Sequence, residues 1–279
     1  MSKVAFQGVL GAYSHRACQS VFPDMDVLPC ESFEDAFAAV EEGQATYTII
    51  PIENSTAGRV ADIHHIMPQT TLSIIGEYFL PVHHCLLGTA DSQMNDVKEV
   101  MSHVQALGQC AKNLKKHALQ AVAWPDTAGA AAEIANRADK HTAALASEAA
   151  ADIYNLKVLQ HNFQDRSDNT TRFLIISSPQ NKIEATSDMK ITTFIFKVRN
   201  IPAALYKALG GFATNGVNIL KLESYMVEGG FQSAQFYVDI QGDSEDKGVQ
   251  LAMEELRFFS DEIKMLGSYP AHSYRKEVK

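Results

Sequence analysis

Short apolar runs alternate along the first part of the chain with segments whose apolar residues recur every three or four positions. We interpret the runs as buried strands, at residues 4–6, 47–52, 72–78, 85–87 and 97–101. Between and after them lie helix-start signals, at Ser32, Asp126 and Ser147, and a helix is also predicted at residues 15–21. This alternation predicts an α/β fold with a mostly parallel sheet covered on both faces.

The pattern stops at residues 177–190, where polar residues replace apolar ones, and then restarts. The restarted pattern predicts a strand, a helix, two strands, a helix and a strand, at residues 192–198, 203–214, 218–225, 234–240, 247–259 and 263–269. A βαββαβ order within about ninety residues is typical of ferredoxin-like domains. We therefore predict two domains, at residues 1–180 and 190–279, joined by a linker.

Composition narrows the possible functions. Apolar residues make up 46% of the 279 residues and charged ones 20%, and no apolar run is long enough to span a membrane. Four scattered cysteines and no leader-like N-terminus favour a cytoplasmic protein. A net charge of −9 argues against nucleic acid as a partner, and it requires that any anionic ligand be held by local donors.

The most informative segment is Asn169-Thr170-Thr171-Arg172-Phe173, which leads into the apolar residues 174–176. In a strand, Asn169, Thr171 and Phe173 lie on one face, and Thr170 and Arg172 on the other. An amide, a hydroxyl and a cation at the start of a strand are suited to line a ligand cleft. Arg172 could anchor the strand or bind a carboxylate, and both interpretations stay open at this stage.

A second polar cluster follows the strand at residues 97–101. Ser102 and Gln105 have the spacing of a helix capping box, which is a purely structural interpretation. Gln109 lies one turn beyond Gln105, so both amides could instead face a cleft. Helix starts here and at Asp126 and Ser147 offer unpaired N–H groups suited to carboxylates.

Neither a metal nor a cofactor is predicted. The pairs His64-His65 and His83-His84 lack carboxylate or cysteine partners at metal-site spacing, so we interpret them as structural or solvated. The glycine-bearing residues 8–11 lack the lysine of a phosphate loop and the dinucleotide fingerprint.

Taken together, residues 8–14, 51–55 with Gly58, 102–110 and 169–173 resemble, in order and spacing, the motifs of the prephenate dehydratase family. The resemblance covers essentially the whole chain, and the carboxyl-terminal part resembles the ACT regulatory domain of that family. It implies a monofunctional enzyme whose catalytic domain has two lobes similar to periplasmic binding proteins, with the site in the cleft between them.

The implied reaction is the loss of water and carbon dioxide from prephenate to give phenylpyruvate in L-phenylalanine biosynthesis. The resemblance implies four catalytic residues: Thr171, Asn54, Ser102 and Gln109. It also implies a surrounding set that binds or orients the substrate: Ser14, Glu53, Ser55, His103, Asp126, Thr127, Arg172 and Phe173.

Feedback inhibition by L-phenylalanine is expected from the same resemblance, together with assembly into a homodimer or homotetramer. The implied effector site consists of Ala203, Ala204, Leu205, Asn218, Ile219, Leu220, Glu223 and Ser224. Two tracts depart from the family pattern. Ala203 stands where a glycine is usual, and Tyr225-Met226 replace Arg-Pro.

Two alternative functions stay open. The chain could be an arogenate dehydratase, which performs the same chemistry on the amino-acid substrate, and residues 127–130 do not decide between the two. It could also be a non-catalytic amino-acid sensor, although an intact Thr171 motif argues against that. A turnover assay with both substrates separates the three possibilities.

Overall fold

The computed structural model describes residues 2–60, 62–185, 187–226 and 234–277. The chain forms two compact units. Unit 1 contains Met1–Arg59 and Phe79–Phe173, and unit 2 contains Val60–Tyr78 and Leu174–Lys279. Residues 60–78 thus group with the carboxyl-terminal part, whereas we predicted them in the first domain. The domain boundaries at residues 180 and 190 stay a prediction.

The first sheet has the strand order β2-β1-β3-β11-β5, with β4 paired to β3. Its strands are β1 Lys3–Gln7, β2 Asp26–Cys30, β3 Tyr47–Asn54, β4 Gly58–Arg59, β5 Ser73–Pro81 and β11 Thr170–Ser177. Strand β1 lies parallel to β2 and to β3. Residues of β1 and β3 such as Phe6, Ile49 and Ile52 are fully buried, because the sheet is covered on both faces.

The second sheet has the order β10-β6-β9-β7-β8. Its strands are β6 Cys85–Gly88, β7 Glu99–Ser102, β8 Gln120–Ala123, β9 Thr142–Ala146 and β10 Lys157–Gln160. Strand β7 is parallel to β8 and β9, whereas β6 is antiparallel to β9 and to β10. The predicted mostly parallel arrangement is therefore wrong for this edge of the sheet.

The helices of unit 1 are α1 Tyr13–Val21, α2 Phe33–Glu41, α4 Val104–Gln109, α5 Ala111–Lys116, α6 Thr127–Arg137 and α7 Glu148–Tyr154. Three of the predicted caps are confirmed. Ser32 and Asp35 form a capping box, Asp126 Oδ1 accepts from the Gly129 amide at 2.6 Å, and Ser147 Oγ accepts from the Ala150 amide at 3.2 Å.

The predicted Ser102–Gln105 capping box is wrong. Ser102 is the last residue of β7, and its Oγ donates to the Leu145 carbonyl at 2.6 Å. His103 is the N-cap of α4 instead, because its Nδ1 accepts from the Gln105 amide at 3.3 Å. The Ser102 hydroxyl therefore binds strand β9, and it does not cap the helix as the local spacing predicted.

Unit 2 contains the predicted ferredoxin-like fold, which is confirmed. Its elements are β12 Lys190–Val198, α8 Ala204–Thr214, β13 Ile219–Met226, β14 Ala234–Gln241, α9 Lys247–Phe259 and β15 Ser260–Pro270. The strands form an antiparallel sheet of order β13-β14-β12-β15. Apolar residues of the sheet and both helices share one core, which includes Phe194, Phe212 and Leu256.

Two short helices, α3 Ile63–Ile66 and α10 Tyr274–Glu277, complete unit 2. Arg275 of α10 pairs with the buried carboxylate of Glu77 on β5, at 2.7 and 2.9 Å, and so fixes the end of the described chain to that strand. None of the helices in the described ranges has the length and apolar character needed to cross a membrane.

Candidate active site

The site begins where the end of β3 lies beside the start of β11. Ser55 joins the two segments: its amide donates to the Thr170 carbonyl at 2.9 Å, and its Oγ accepts from the Thr170 amide at 2.9 Å. The same Oγ donates to the Asp168 carbonyl at 3.1 Å. These contacts set the register that places Asn54 opposite Asn169 and Thr171.

The orientation of the Asn54 side chain is fixed by backbone donors. Its Oδ1 accepts from the amides of Thr56 and Ala57, at 3.0 and 2.8 Å, as in an Asx turn. Since backbone N–H groups can only donate, the Oδ1 end must face the turn and the Nδ2 end must face β11. Nδ2 donates to Thr171 Oγ1 at 2.9 Å and to Asn169 Oδ1 at 2.7 Å.

This contact determines what the Thr171 hydroxyl can do. A hydroxyl that accepts from Asn54 keeps its own hydrogen to donate elsewhere. As the period of two predicted, Asn169 and Thr171 lie on the same face of the chain. Thr171 is half-buried, so a bound substrate can still contact it.

Gln109, the last residue of α4, joins the same network. Its Nε2 donates to Thr56 Oγ1 at 2.9 Å, and its Oε1 accepts from Asn169 Nδ2 at 2.9 Å. Thr56 Oγ1 also lies 2.8 Å from Asn54 Oδ1. Three of the four residues predicted as catalytic, Asn54, Gln109 and Thr171, are therefore brought together, with Thr56 and Asn169 connecting them.

A histidine and a tyrosine extend the network further. His84 Nε2 lies 2.8 Å from Gln109 Oε1, and His84 Nδ1 lies 2.7 Å from the Tyr13 hydroxyl. That hydroxyl also lies 2.8 Å from the His83 carbonyl. Burial lowers the pKa of His84 and raises the pKa of Tyr13 well above its usual range, so the neutral form of each is favoured.

Arg172 and Glu53 form an ion pair at 3.1 Å beside this network. Arg172 is fully buried, with 1% of its side chain exposed, and Glu53 lies next to Asn54 on β3. The pairing favours the anchoring interpretation of Arg172 that the sequence had left open. Phe173 is also buried, within β11.

The other predicted site residues are placed by local structure. Ser14 lies buried on α1, and Ser102 and His103 lie at the junction of β7 and α4. Asp126 caps α6, and Thr127 is the first residue of that helix. Their roles in substrate binding stay predictions.

Sequence reasoning missed Tyr13, Thr56 and His84, and it gave Asn169 no role of its own. Thr56 could have been found from turn chemistry, since an asparagine two residues earlier is a common acceptor for its amide. His84 was considered only as one of a metal-binding pair. Nothing local connects it with Gln109, which is 25 positions away along the chain.

The predicted effector residues lie in unit 2. Ala203 precedes α8 with a left-handed backbone, φ 60° and ψ 22°. Leu205 and Ile219 pack against the core of the ferredoxin-like fold, and Ala204 is buried. On β13, the Glu223 carboxylate lies 3.1 Å from Lys221 Nζ and 3.7 Å from His64 Nε2.

Comparison with known proteins identifies the family of the chain. The prephenate dehydratase family model matches residues 4–181. The chain belongs to the prephenate dehydratase family. The match contains Asn54, Gln109 and Thr171, which the structure connects through hydrogen bonds.

Individual relatives extend the likeness over nearly the whole chain. A bifunctional N-acyl-homoserine lactone acylase/prephenate dehydratase of Komagataeibacter europaeus is 42% identical, over 98% of each chain. Arogenate dehydratase 2 of Petunia hybrida is 39% identical, over 97% of this chain and 72% of that protein. The crystal structure of prephenate dehydratase from Arthrobacter aurescens in complex with L-Phe has a TM-score of 0.87 at 29% identity, and the match covers 96% and 89% of the two chains.

Proposed function

We propose that this chain is a prephenate dehydratase, which converts prephenate to phenylpyruvate with loss of carbon dioxide and water. One observation carries the proposal: Asn54 Nδ2 donates to Thr171 Oγ1, so the threonine hydrogen can be donated to a substrate oxygen. Family membership supports the substrate, and the hydrogen-bond network supports the chemistry.

In the proposed reaction, the electron pair of the bond to the ring carboxylate enters the ring as carbon dioxide leaves. The bond between the ring carbon and its hydroxyl then breaks, its electron pair goes to the oxygen, and the oxygen takes up a proton from solvent and leaves as water. Thr171 donates a hydrogen bond to that oxygen while charge develops on it. Preorganised donors of this kind contribute roughly 10²- to 10³-fold in rate.

The neighbouring residues have supporting roles in this proposal. Asn54 orients the Thr171 hydroxyl, and Gln109, Asn169 and Thr56 fix the polar wall beside it. Arg172 and Glu53 neutralise each other's charge. The substrate carboxylates would then be held by neutral donors, including helix N-termini near Ser14, Ser102, His103, Asp126 and Thr127. Aromatisation drives the reaction, so orientation and electrostatics are the tasks left to the protein.

The decisive experiment compares Thr171→Val with Thr171→Ser. Valine keeps the shape of threonine and removes the hydroxyl, whereas serine keeps the hydroxyl. We expect Thr171→Val to lower kcat about 100-fold or more, and Thr171→Ser to retain much of it. Phenylpyruvate formation from prephenate is the measurement. Turnover by Thr171→Val at the rate of the unaltered chain would refute the assigned role.

Arogenate is the alternative substrate, because relatives named arogenate dehydratase match almost the full chain at 35–39% identity. The two substrates differ in the side chain that carries a keto group or an amino group. Parallel kcat/KM measurements on both, by phenylpyruvate and by phenylalanine formation, decide the preference. Turnover of neither substrate would instead support a non-catalytic sensor.

Hydrolysis of N-acyl-homoserine lactones is a second candidate activity. It rests on the 42% identity to the Komagataeibacter europaeus protein, whose name includes that activity. Release of the fatty acid by the purified chain, measured with Thr171→Val as a matched control, tests it. Loss of both activities in that variant would place them at one site.

Regulation by L-phenylalanine is the remaining part of the proposal, with the ferredoxin-like fold acting as an ACT domain at residues 190–279. The support is the βαββαβ topology and the Arthrobacter aurescens complex with L-Phe. The expected site includes Ala203 and the first half of β13. Inhibition of the full chain by L-phenylalanine, with D-phenylalanine as control, is the test. Unchanged turnover at millimolar L-phenylalanine would make this fold purely structural.

Assembly and location complete the proposal. A homodimer or homotetramer is expected for a chain with an ACT domain, and sedimentation of the full chain measures it. A cytoplasmic location is favoured because Cys18, Cys30, Cys85 and Cys110 are free thiols, as is usual in a reducing compartment.

A further inference from the structure

His84 lies outside the set that sequence motifs indicate, yet it contacts the site directly. Its side chain is 2% exposed, in the segment between β5 and β6. The backbone around it is fixed: its amide donates to Gln164 Oε1 at 2.9 Å, and its carbonyl accepts from the Phe163 amide at 2.7 Å. The imidazole is therefore buried, fixed by its backbone contacts, and in hydrogen-bond contact with Gln109.

The direction of every hydrogen bond between Asn54 and His84 follows from the Asx turn. Backbone amides fix Asn54 with Nδ2 toward Asn169, so Asn169 must present Oδ1 there. Asn169 then directs Nδ2 to Gln109, which must present Oε1 in return. Gln109 Oε1 also meets His84 Nε2, so that ring nitrogen must carry a hydrogen.

We propose that His84, with Tyr13 behind it, is a positioning residue for the reaction, which donates from Nε2 to fix the amide of Gln109. The inference rests on the proposed dehydratase function of the site. Without this donor, the Gln109 amide could rotate by half a turn and present Nε2 to Asn169. Asn169 and then Asn54 would lose their partners, and the donor to Thr171 Oγ1 would be less well fixed.

Tyr13 stabilises the His84 tautomer that carries its hydrogen on Nε2. In the neutral ring with hydrogen on Nε2, Nδ1 is an acceptor, and the Tyr13 hydroxyl donates to it at 2.7 Å. If His84 takes up a second proton, Nδ1–H donates to the Tyr13 oxygen, and the Tyr13 hydrogen turns to the His83 carbonyl at 2.8 Å. Both states keep the Nε2–H contact with Gln109.

The surroundings favour the neutral state of the ring. Burial lowers the pKa of His84, and the neighbouring His83 lowers it further, against a rise caused by the hydrogen bond to Gln109. The groups facing the ring from other elements are Tyr13 of α1 and Gln109 of α4, both uncharged. Tyr13 itself is held neutral because burial raises its pKa.

Two substitutions at position 84 separate positioning from packing. His84→Gln can place an amide N–H near the position of Nε2, whereas His84→Asn reaches only the position of Nδ1. We expect His84→Asn to lower kcat/KM about 10- to 100-fold, the effect of an unsatisfied buried partner, mostly through kcat. His84→Gln should recover at least about tenfold of that loss, equivalent to one restored hydrogen bond. Equal kinetics for the two variants would overturn the proposal.

A second measurement does not need turnover. The ¹⁵N spectrum of the imidazole should show hydrogen on Nε2 and an accepting Nδ1 for His84 near neutral pH. Tyr13→Phe should shift it toward a mixture of tautomers, since Nδ1 then loses its donor. A dominant Nδ1–H tautomer in the unaltered chain would refute the positioning role. If the spectrum is as expected but neither prephenate nor arogenate is turned over, the proposed function fails and the assigned hydrogen bond stands.

Discussion

At the scale of single residues, the site depends on Asn54, whose amide oxygen and amide nitrogen have different roles. Asn54 Oδ1 closes the turn to Thr56 and Ala57, and Nδ2 reaches Thr171 and Asn169. The turn therefore sets the geometry of the donor, and the donor sets the direction of the Thr171 hydroxyl. The role of Asn54 in the turn and its role as donor to Thr171 can be separated only by a substitution that alters one end of the amide.

Asn54→Asp is such a change. The carboxylate still accepts from both turn amides, so the turn is kept, but the buried Asn169 Oδ1 loses its donor, and we expect the free energy of unfolding to fall by about 1–3 kcal/mol. Its other oxygen, however, would take the Thr171 hydrogen that the reaction needs. We expect kcat to fall about 100-fold or more. Asn54→Ala serves as the comparison, because it removes both the turn and the donor, and should lower kcat and reduce stability further than Asn54→Asp does. Retained kcat in Asn54→Asp would show that the amide donor does not matter.

At the scale of elements, the sequence predicted what local chemistry decides. The caps at Ser32, Asp126 and Ser147 are local, and all three are confirmed. Strand β8 was missed because three of its four residues are exposed and give no apolar run. The assignment of Ser102 failed because its partner, the Leu145 carbonyl, is 43 positions away. His84 was missed for the same reason, because its contact with Gln109 joins segments 25 positions apart.

One element carries a visible strain that a substitution should relieve. Ala203 begins α8 with φ 60°, a left-handed conformation that costs a residue with a side chain roughly 1–2 kcal/mol and costs glycine almost nothing. Glycine also has more unfolded-state freedom to lose, by roughly 0.5–1 kcal/mol. We therefore expect Ala203→Gly to stabilise the chain by about 0.5–1 kcal/mol.

Urea unfolding measures this change, and Ala213→Gly in the last turn of the same helix is the matched control, which should destabilise. A lower unfolding midpoint for Ala203→Gly would contradict the expectation. The same variant restores the glycine that the family pattern has at this position. If L-phenylalanine binds close to the backbone at residue 203, the chain should bind it more tightly in Ala203→Gly.

At the scale of the whole molecule, unit 1 has a second set of hydrogen bonds between segments that are far apart along the chain. Away from the site, Ser147 Oγ donates to the Gly11 carbonyl at 2.6 Å, and the Tyr154 hydroxyl donates to the Leu10 carbonyl at 2.8 Å. Gly11 has φ +88°, and a side-chain carbon there would lie 3.0 Å from Ala150 Cα, so this approach requires glycine. Family motifs indicated that residues 8–14 matter, but only the fold shows that α7 packs against them.

A buried histidine beside the same loop is expected to make stability depend on pH. His15 is buried, and its Nδ1 accepts from the Gly11 amide at 3.0 Å, a contact that a protonated ring cannot make. Burial lowers the pKa of His15, as it does for His84. The unfolded chain, with histidine pKa values near about 6.5, therefore binds more protons than the folded chain as the pH falls. The contribution of these two neutral histidines to stability is fully present above pH about 6.5. It decreases as the pH falls from there toward their lowered pKa values in the folded chain.

We therefore expect the free energy of unfolding from urea titrations to be smaller at pH 5.5 than at pH 7.5, a range chosen to lie above the ordinary carboxylate pKa values of about 4. His15→Asn is the matched variant, since its amide oxygen can occupy the position of Nδ1 and accept from Gly11 without titrating. The variant should lose part of the pH dependence while keeping most of its stability at pH 7.5. Identical pH dependence in the variant and the unaltered chain would show that His15 is not among the groups responsible, and His84→Gln would then isolate the contribution of the second histidine.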